Sequence, residues 1–159
     1  MRRKVIPKMI LLTMLLGMMI SISTPIYAAE SENETDEDVI VEKLDPSDGI
    51  TEIYDDEENG EMGLLSTKVS IAWSIANNAR KYSGKIYKKA GTTLKIDFKI
   101  KPGTQKVKAG YLDATENKHY VSATSSVTKT FKITKSQNIR VFVENSSGKA
   151  VVVTGNYEK

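Results

Sequence analysis

Cysteine is absent from the chain, histidine and tryptophan each occur once, and proline only four times. Each shortage closes off a class of protein. Without cysteine there are no disulfide staples, no thiolate metal ligands and no thiol nucleophile, so stability must come from packing alone. One histidine cannot build a zinc centre of the usual kind. That residue, His119, sits in the polar stretch Glu116-Asn117-Lys118-His119 and reads as a solvated turn residue. No Gly-x-Ser-x-Gly, phosphate-loop or dinucleotide glycine pattern is present.

Carboxylates are also scarce in the last hundred residues. Only Asp97, Asp113, Glu116, Glu144 and Glu158 occur beyond residue 62. A glycosidase needs two carboxyl groups facing one another, and nothing in the spacing selects a pair such as Asp97 with Asp113. The expectation is a non-enzymatic protein with no catalytic residues, no cofactor and no metal. A partial calcium-loop match at Asp55, Glu57, Asn59 and Gly60 fails at its twelfth position, where Ser66 replaces the required glutamate.

Long apolar runs are confined to one place, residues 9–22, behind the basic cluster Arg2, Arg3, Lys4 and Lys8. Small residues follow, ending in Ala28-Ala29, and Pro25 breaks the helix ahead of them. Basic, apolar and small-residue regions in that order form a secretory signal. Cleavage after Ala28 is preferred to cleavage after Ala29, which would leave bulky Tyr27 three positions upstream. A 14-residue helix covers about 21 Å, short of the roughly 30 Å hydrocarbon core. A stable transmembrane anchor is therefore not expected. The mature protein is expected outside the cell, with the cell wall an available location.

What the chain does possess is charge, unevenly placed. Residues 30–62 carry fifteen acidic side chains against Lys43 alone, while residues 63–159 carry eighteen Lys and Arg against five acids. The mature chain thus joins a block of −14 to a block of +13. Residues 29–65 read as an acidic disordered segment, a propeptide or linker, because self-repulsion is strong and apolar surface is small. Short apolar patches at Val39-Ile40-Val41, Leu44, Ile50 and Ile53-Tyr54 could nonetheless dock as an added strand or strap.

From residue 66 to 159 the apolar period becomes two. Val69, Ile71, Trp73 and Ile75 alternate with small polar residues, and Leu94, Ile96, Phe98 and Ile100 with Lys95, Asp97, Lys99 and Lys101. Further alternation runs through Val107 to Tyr111, Tyr120 to Ala123, Phe131 to Ile133, Ile139 to Val143 and Val151 to Tyr157. Turn residues separate the runs at about ten-residue intervals. The pattern predicts an all-β domain, an antiparallel β-sandwich or jelly-roll-like barrel of seven or eight strands. Trp73 is expected in the core. A sugar-stacking platform would need outward aromatics such as Tyr82, Tyr87 and Tyr120. The glycosylation patterns at Asn33 and Asn145 carry little weight.

Pro102-Gly103 suggests a hairpin pairing residues 94–100 with 106–112. Lys101 would then face Lys106, and Lys99 would face Lys108. Opposed like charges cost on the order of 0.2–1 kcal/mol per pair, so Lys95, Lys99, Lys101, Lys106 and Lys108 are the candidate anion-binding residues. The favoured reading is a secreted non-catalytic β-domain that binds an anionic surface or partner, such as a cell-wall polymer or polysaccharide. Its own acidic segment would act as an intramolecular mask. Export argues against nucleic acid as the polyanion. The alternative is a secreted cationic toxin-like or bacteriocin-like effector acting on membranes after processing, which would need an amphipathic face for lipid.

Overall fold

Two-residue alternation decides the architecture. In the computed structural model, which describes residues 38–55 and 67–159, every regular element is a strand. Residues 1–28 with Ala28 and Ala29, Asn33, and Glu57, Asn59 and Gly60 of the calcium-like stretch lie outside the described residues. Eleven strands form two sheets: β1 (Ile40–Lys43), β2 (Thr51–Tyr54), β3 (Lys68–Ile75), β4 (Ala79–Tyr82), β5 (Ile86–Lys88), β6 (Thr93–Lys101), β7 (Val107–Leu112), β8 (Asn117–Ala123), β9 (Ser126–Lys132), β10 (Gln137–Asn145) and β11 (Val151–Glu158). The seven-stranded sheet has the order β1-β8-β7-β10-β4-β2, with β5 continuing along β10. The four-stranded sheet has the order β3-β11-β6-β9.

The inward faces meet in one core. Ile71, Trp73 and Ile75, then Leu94, Ile96, Phe98 and Ile100, interdigitate with Ala109, Val121, Ile139, Val141 and Val143 from the other sheet. Trp73 is buried, 3% exposed, and its indole N–H donates to Asp55 at 2.8 Å. Two glycines permit close backbone approach. A methyl group on Gly155, whose φ is +144°, would lie 2.0 Å from the Asp97 carbonyl; one on Gly110 would lie 1.9 Å from that of His119.

Three expectations need correction. The hairpin joining residues 94–100 to 106–112 does not form: β6 pairs with β11 and β9, and β7 pairs with β10 and β8. Both strands bury a full apolar face, and a sandwich lets the chain switch sheets between them so that each face closes the core from opposite sides. Among the described residues, only β7–β8 is a hairpin of consecutive paired strands. The acidic segment, expected to be disordered over 29–65, is ordered at 38–55. There β1 lies antiparallel to β8 at one edge of the seven-stranded sheet, and β2 parallel to β4 at the other. Disorder follows for such a segment in isolation; the sheet edges supply its backbone partners and the sheet supplies cations.

His119 provides the third correction. It belongs to β8, stacks on Tyr111 at 4.5 Å between ring centroids, and contacts Asp113 at 3.1 Å. Asp113 also accepts from the backbone N–H groups of Thr115 and Asn117, so it organises the β7–β8 turn. Burial opposes its ionisation, but these donors outweigh burial and hold the carboxyl well below the ordinary range.

Candidate functional site: a cationic sheet face beneath an acidic strap

The outward face of the seven-stranded sheet is chemically unlike an ordinary solvated face. Alternation places Arg80 and Tyr82 (β4), Phe142 and Glu144 (β10), Lys108 and Gly110 (β7), and Lys118 and Tyr120 (β8) on the side away from the core. The register aligns them into rows. Tyr82, Phe142, Gly110 and Tyr120 are cross-strand neighbours in one row, and Arg80, Glu144 and Lys108 in the next. Because Gly110 has no side chain, the Phe142 and Tyr120 rings approach across it, 6.5 Å apart in an edge arrangement. Tyr82, Leu112, Tyr120 and Phe142 form a second small apolar cluster.

Residues 44–50 run over this face from the β8 edge to the β4 edge. Leu44 packs on the second cluster, and its backbone N–H donates to the Glu116 carbonyl at 2.8 Å. Tyr54 stacks on Tyr82 at 4.9 Å, with the Arg140 guanidinium 4.8 Å from its centroid. Under this cover Arg80, Lys118 and Glu144 are only 1%, 3% and 2% exposed.

Three buried or half-buried cations share four carboxylates. Arg80 contacts Glu144 at 2.6 Å, Asp48 at 2.7 Å and Glu52 at 3.2 Å. Lys118 contacts Glu144 at 3.3 Å and Glu42 at 3.4 Å. Lys108 lies 3.1 Å from Glu144, 3.5 Å from Glu42 and 4.9 Å from the Tyr120 ring. Tyr120 donates to Glu42 at 3.1 Å, and Tyr82 to Glu52 at 3.1 Å. Glu144 alone comes from residues 67–159; the other three carboxylates come from the acidic segment, Glu42 on β1, Glu52 on β2 and Asp48 between them. Among the described residues every buried side-chain nitrogen and oxygen has a partner.

Electrostatics follow from that crowding. Burial raises the Glu144 carboxyl, but the hydrogen bond and charge of Arg80, with Lys118 and Lys108, outweigh it and hold the group below its ordinary range. Glu42 is likewise held low: Lys118 and Lys108 overcome its burial. Asp48 is held low by the Ile50 N–H and Arg80 against the same opposing burial. The Tyr82 and Tyr120 phenols are pushed up, chiefly by burial. Glu144, Glu42 and Asp48 are therefore ionised at neutral pH.

The five lysines singled out in the sequence do not share a surface. Lys95, Lys99 and Lys101 point outward from β6 on the opposite sheet, where Lys99 is flanked by Ser126 and Thr154 and Lys101 by Val152. Lys106 is exposed just before β7. Lys108 alone belongs to the covered face. Sequence reasoning missed Arg80, Lys118 and Glu144. The available signal was the aromatic content of the outward positions: Phe142, Tyr82 and Tyr120 alternate with these charges, which a solvated face would not require.

Elsewhere the chemistry is sparse. Asp97 lies on β6 of the four-stranded sheet, accepting from Thr128 at 3.2 Å, whereas Asp113 lies in the β7–β8 turn of the other sheet. Asp55 of the calcium-like stretch is held by Trp73 and by Lys81, 3.6 Å away. Tyr82 and Tyr120 are buried and Tyr87 is 61% exposed, so the three do not make a stacking platform. A cleft of about 540 Å³ between Thr67, Tyr87 and Gly91 contains Glu158 and three lysines. Among the described residues no three His, Cys, Asp or Glu side chains converge as metal ligands, and no helix is long and apolar enough to cross a membrane.

No family model matches the chain, and no curated protein is similar to it in sequence. Among solved structures, the chain resembles a periplasmic inhibitor. This is PliG from Aeromonas hydrophila, a periplasmic lysozyme inhibitor of g-type lysozyme, 12% identical, with a TM-score of 0.47 over 69% of this chain and 96% of that one. A likeness so slight carries no functional argument.

Proposed function

We propose that this is an exported, non-catalytic β-domain that binds an anionic partner on the outward face of its seven-stranded sheet, and that residues 40–54 mask that face. One observation carries the reading: three of the four carboxylates neutralising Arg80, Lys108 and Lys118 come from the acidic segment. Without the segment, those cations and Arg140 would surround a lone Glu144, beside the Tyr82, Tyr120 and Phe142 rings. Arginine and aromatic side chains grouped in this way are the usual energetic centre of a binding surface.

The mask is favoured by tethering, since a short linker gives an attached segment an effective concentration of roughly millimolar. Lys95, Lys99 and Lys101 offer a second, shallower strip on the open sheet, where attraction to a polyanion is screened by salt. The signal-like residues 1–28 support export, and a polymer such as polygalacturonate is a suitable extracellular probe.

The test compares residues 29–159 with residues 66–159, both verified as folded by near-ultraviolet circular dichroism. Binding to polygalacturonate is measured at low and moderate salt. Stronger, salt-sensitive binding by the shorter chain is expected. Equal affinities without salt dependence would remove the mask from the account, and dye release from anionic vesicles would move it toward a membrane effector.

A further inference from the structure

We infer that the partner of the covered face is an acidic segment of another polypeptide, taken up as an added β-strand, with residues 40–54 acting as its stand-in. The inference rests on the masking proposed above and narrows the class of partner. Its basis is that the face reads backbone as well as charge. Positions Ile40 to Lys43 pair antiparallel with Tyr120 to Asn117. Thr51 N–H donates to the Asn78 carbonyl at 2.9 Å, and Asp55 N–H to the Tyr82 carbonyl at 2.9 Å. A polysaccharide or lipid headgroup can satisfy Arg80 and Lys118, but it has no repeating N–H and C=O groups to pair with a sheet edge.

Side chains add a selective pattern to the backbone pairing. Glu42 meets Lys118 and Lys108, and Leu44 enters the cluster of Tyr82, Leu112, Tyr120 and Phe142. Asp48 and Glu52 meet Arg80 from the other side. The first strand of the segment is anchored mainly by edge hydrogen bonds and the Glu42 ion pairs, since Val39, Ile40 and Val41 are 39–59% exposed. A strand fixed at a few points through ion pairs and edge hydrogen bonds is one that a competing strand can displace. The preferred competitor has a carboxylate two residues before a leucine and further acids downstream.

The probe is a fluorescein-labelled peptide of residues 38–55, titrated against the full mature chain and against a released variant of it. That variant carries Glu42→Gln, Leu44→Ser, Asp48→Asn and Glu52→Gln together. Saturable binding to the released variant, at least about tenfold tighter than to the unaltered chain, is expected from loss of the tethered competitor. A scrambled peptide of identical composition should bind far more weakly; equal binding would reduce recognition to charge and overturn the inference. A folded released variant that binds polygalacturonate but not the peptide would also overturn it, leaving the masking account intact. Binding neither would end both. Loss of the fold in the released variant would show that the segment is part of the core structure, and would overturn the inference too.

Discussion

The two outward faces of this sandwich solve the problem of carrying charge in opposite ways. On the four-stranded sheet, Lys99 and Lys101 stand among Ser126, Thr154 and Val152 and keep their charge in water. On the seven-stranded sheet, Arg80, Lys118 and Glu144 are taken out of water and must be paired. Hydrated charge needs no partner and adds little to stability. Desolvated charge needs several partners, and leaving one out costs a great deal. The second face is thus committed to whatever supplies its missing carboxylates.

Substituting Glu144 should produce the largest contrast between the faces. Glu144→Ala leaves Arg80 and Lys118 short of their shared partner, and chemical denaturation should show a loss of about 3–5 kcal/mol. Asp97→Ala on the open sheet should change the same measurement by less than about 1 kcal/mol. A comparable loss at the two positions would dissolve the distinction.

The glycines come next. Gly110→Ala and Gly155→Ala each drive a methyl group into a neighbouring strand's carbonyl, at a cost of about 1–3 kcal/mol or more. The Gly110 substitution should also speed hydrogen exchange of the residue 40–54 amides, because it separates the Tyr120 and Phe142 rings on which the strap packs. Gly155→Ala should destabilise without that effect.

Acid separates the faces in a third way. Glu42, Asp48 and Glu144 are held below the ordinary carboxylate range, so strap docking favours their ionised forms. Its contribution is complete above about pH 5 and declines as pH falls through about 4 and below. Hydrogen exchange of the β8 amides, followed from pH 6 to pH 3, should therefore accelerate before that of β11 amides. Simultaneous acceleration would mean that strap and sandwich open together.

The smallest effect is expected on the open sheet. Lys99→Ala with Lys101→Ala should alter stability by no more than about 0.5 kcal/mol while lowering affinity for polygalacturonate at low salt. Unchanged affinity would confine anion binding to the covered face.

Reading from the residues alone found the strands whose two faces differ, and lost those whose faces are alike. Ile71-Ala72-Trp73-Ser74-Ile75 and Leu94 to Ile100 alternate because one side is core and the other is water. Ala79-Arg80-Lys81-Tyr82 shows no such alternation, since its outward residues are buried under residues 44–50, and β4 went unread. The strands of the acidic segment were hidden for the complementary reason: their partners lie more than twenty residues away in sequence, and composition reports only how a segment behaves alone. The turn Pro102-Gly103 was legible as a turn. Whether it joins neighbours in one sheet or carries the chain between sheets depends on the other strands, so the lysine hairpin could not be judged locally.

The placement of β1 also fixes an order of events. Ile40 pairs with Tyr120, eighty positions later in the chain, so this early segment finds its place only after its distant edge exists. Contacts that span so much sequence close late and slowly. Until then each newly made chain presents two unguarded strand edges, β8 and β4, bordering a charged and aromatic surface. The interval between emergence and closure is when the chain is most open to meeting a neighbour's strand in place of its own.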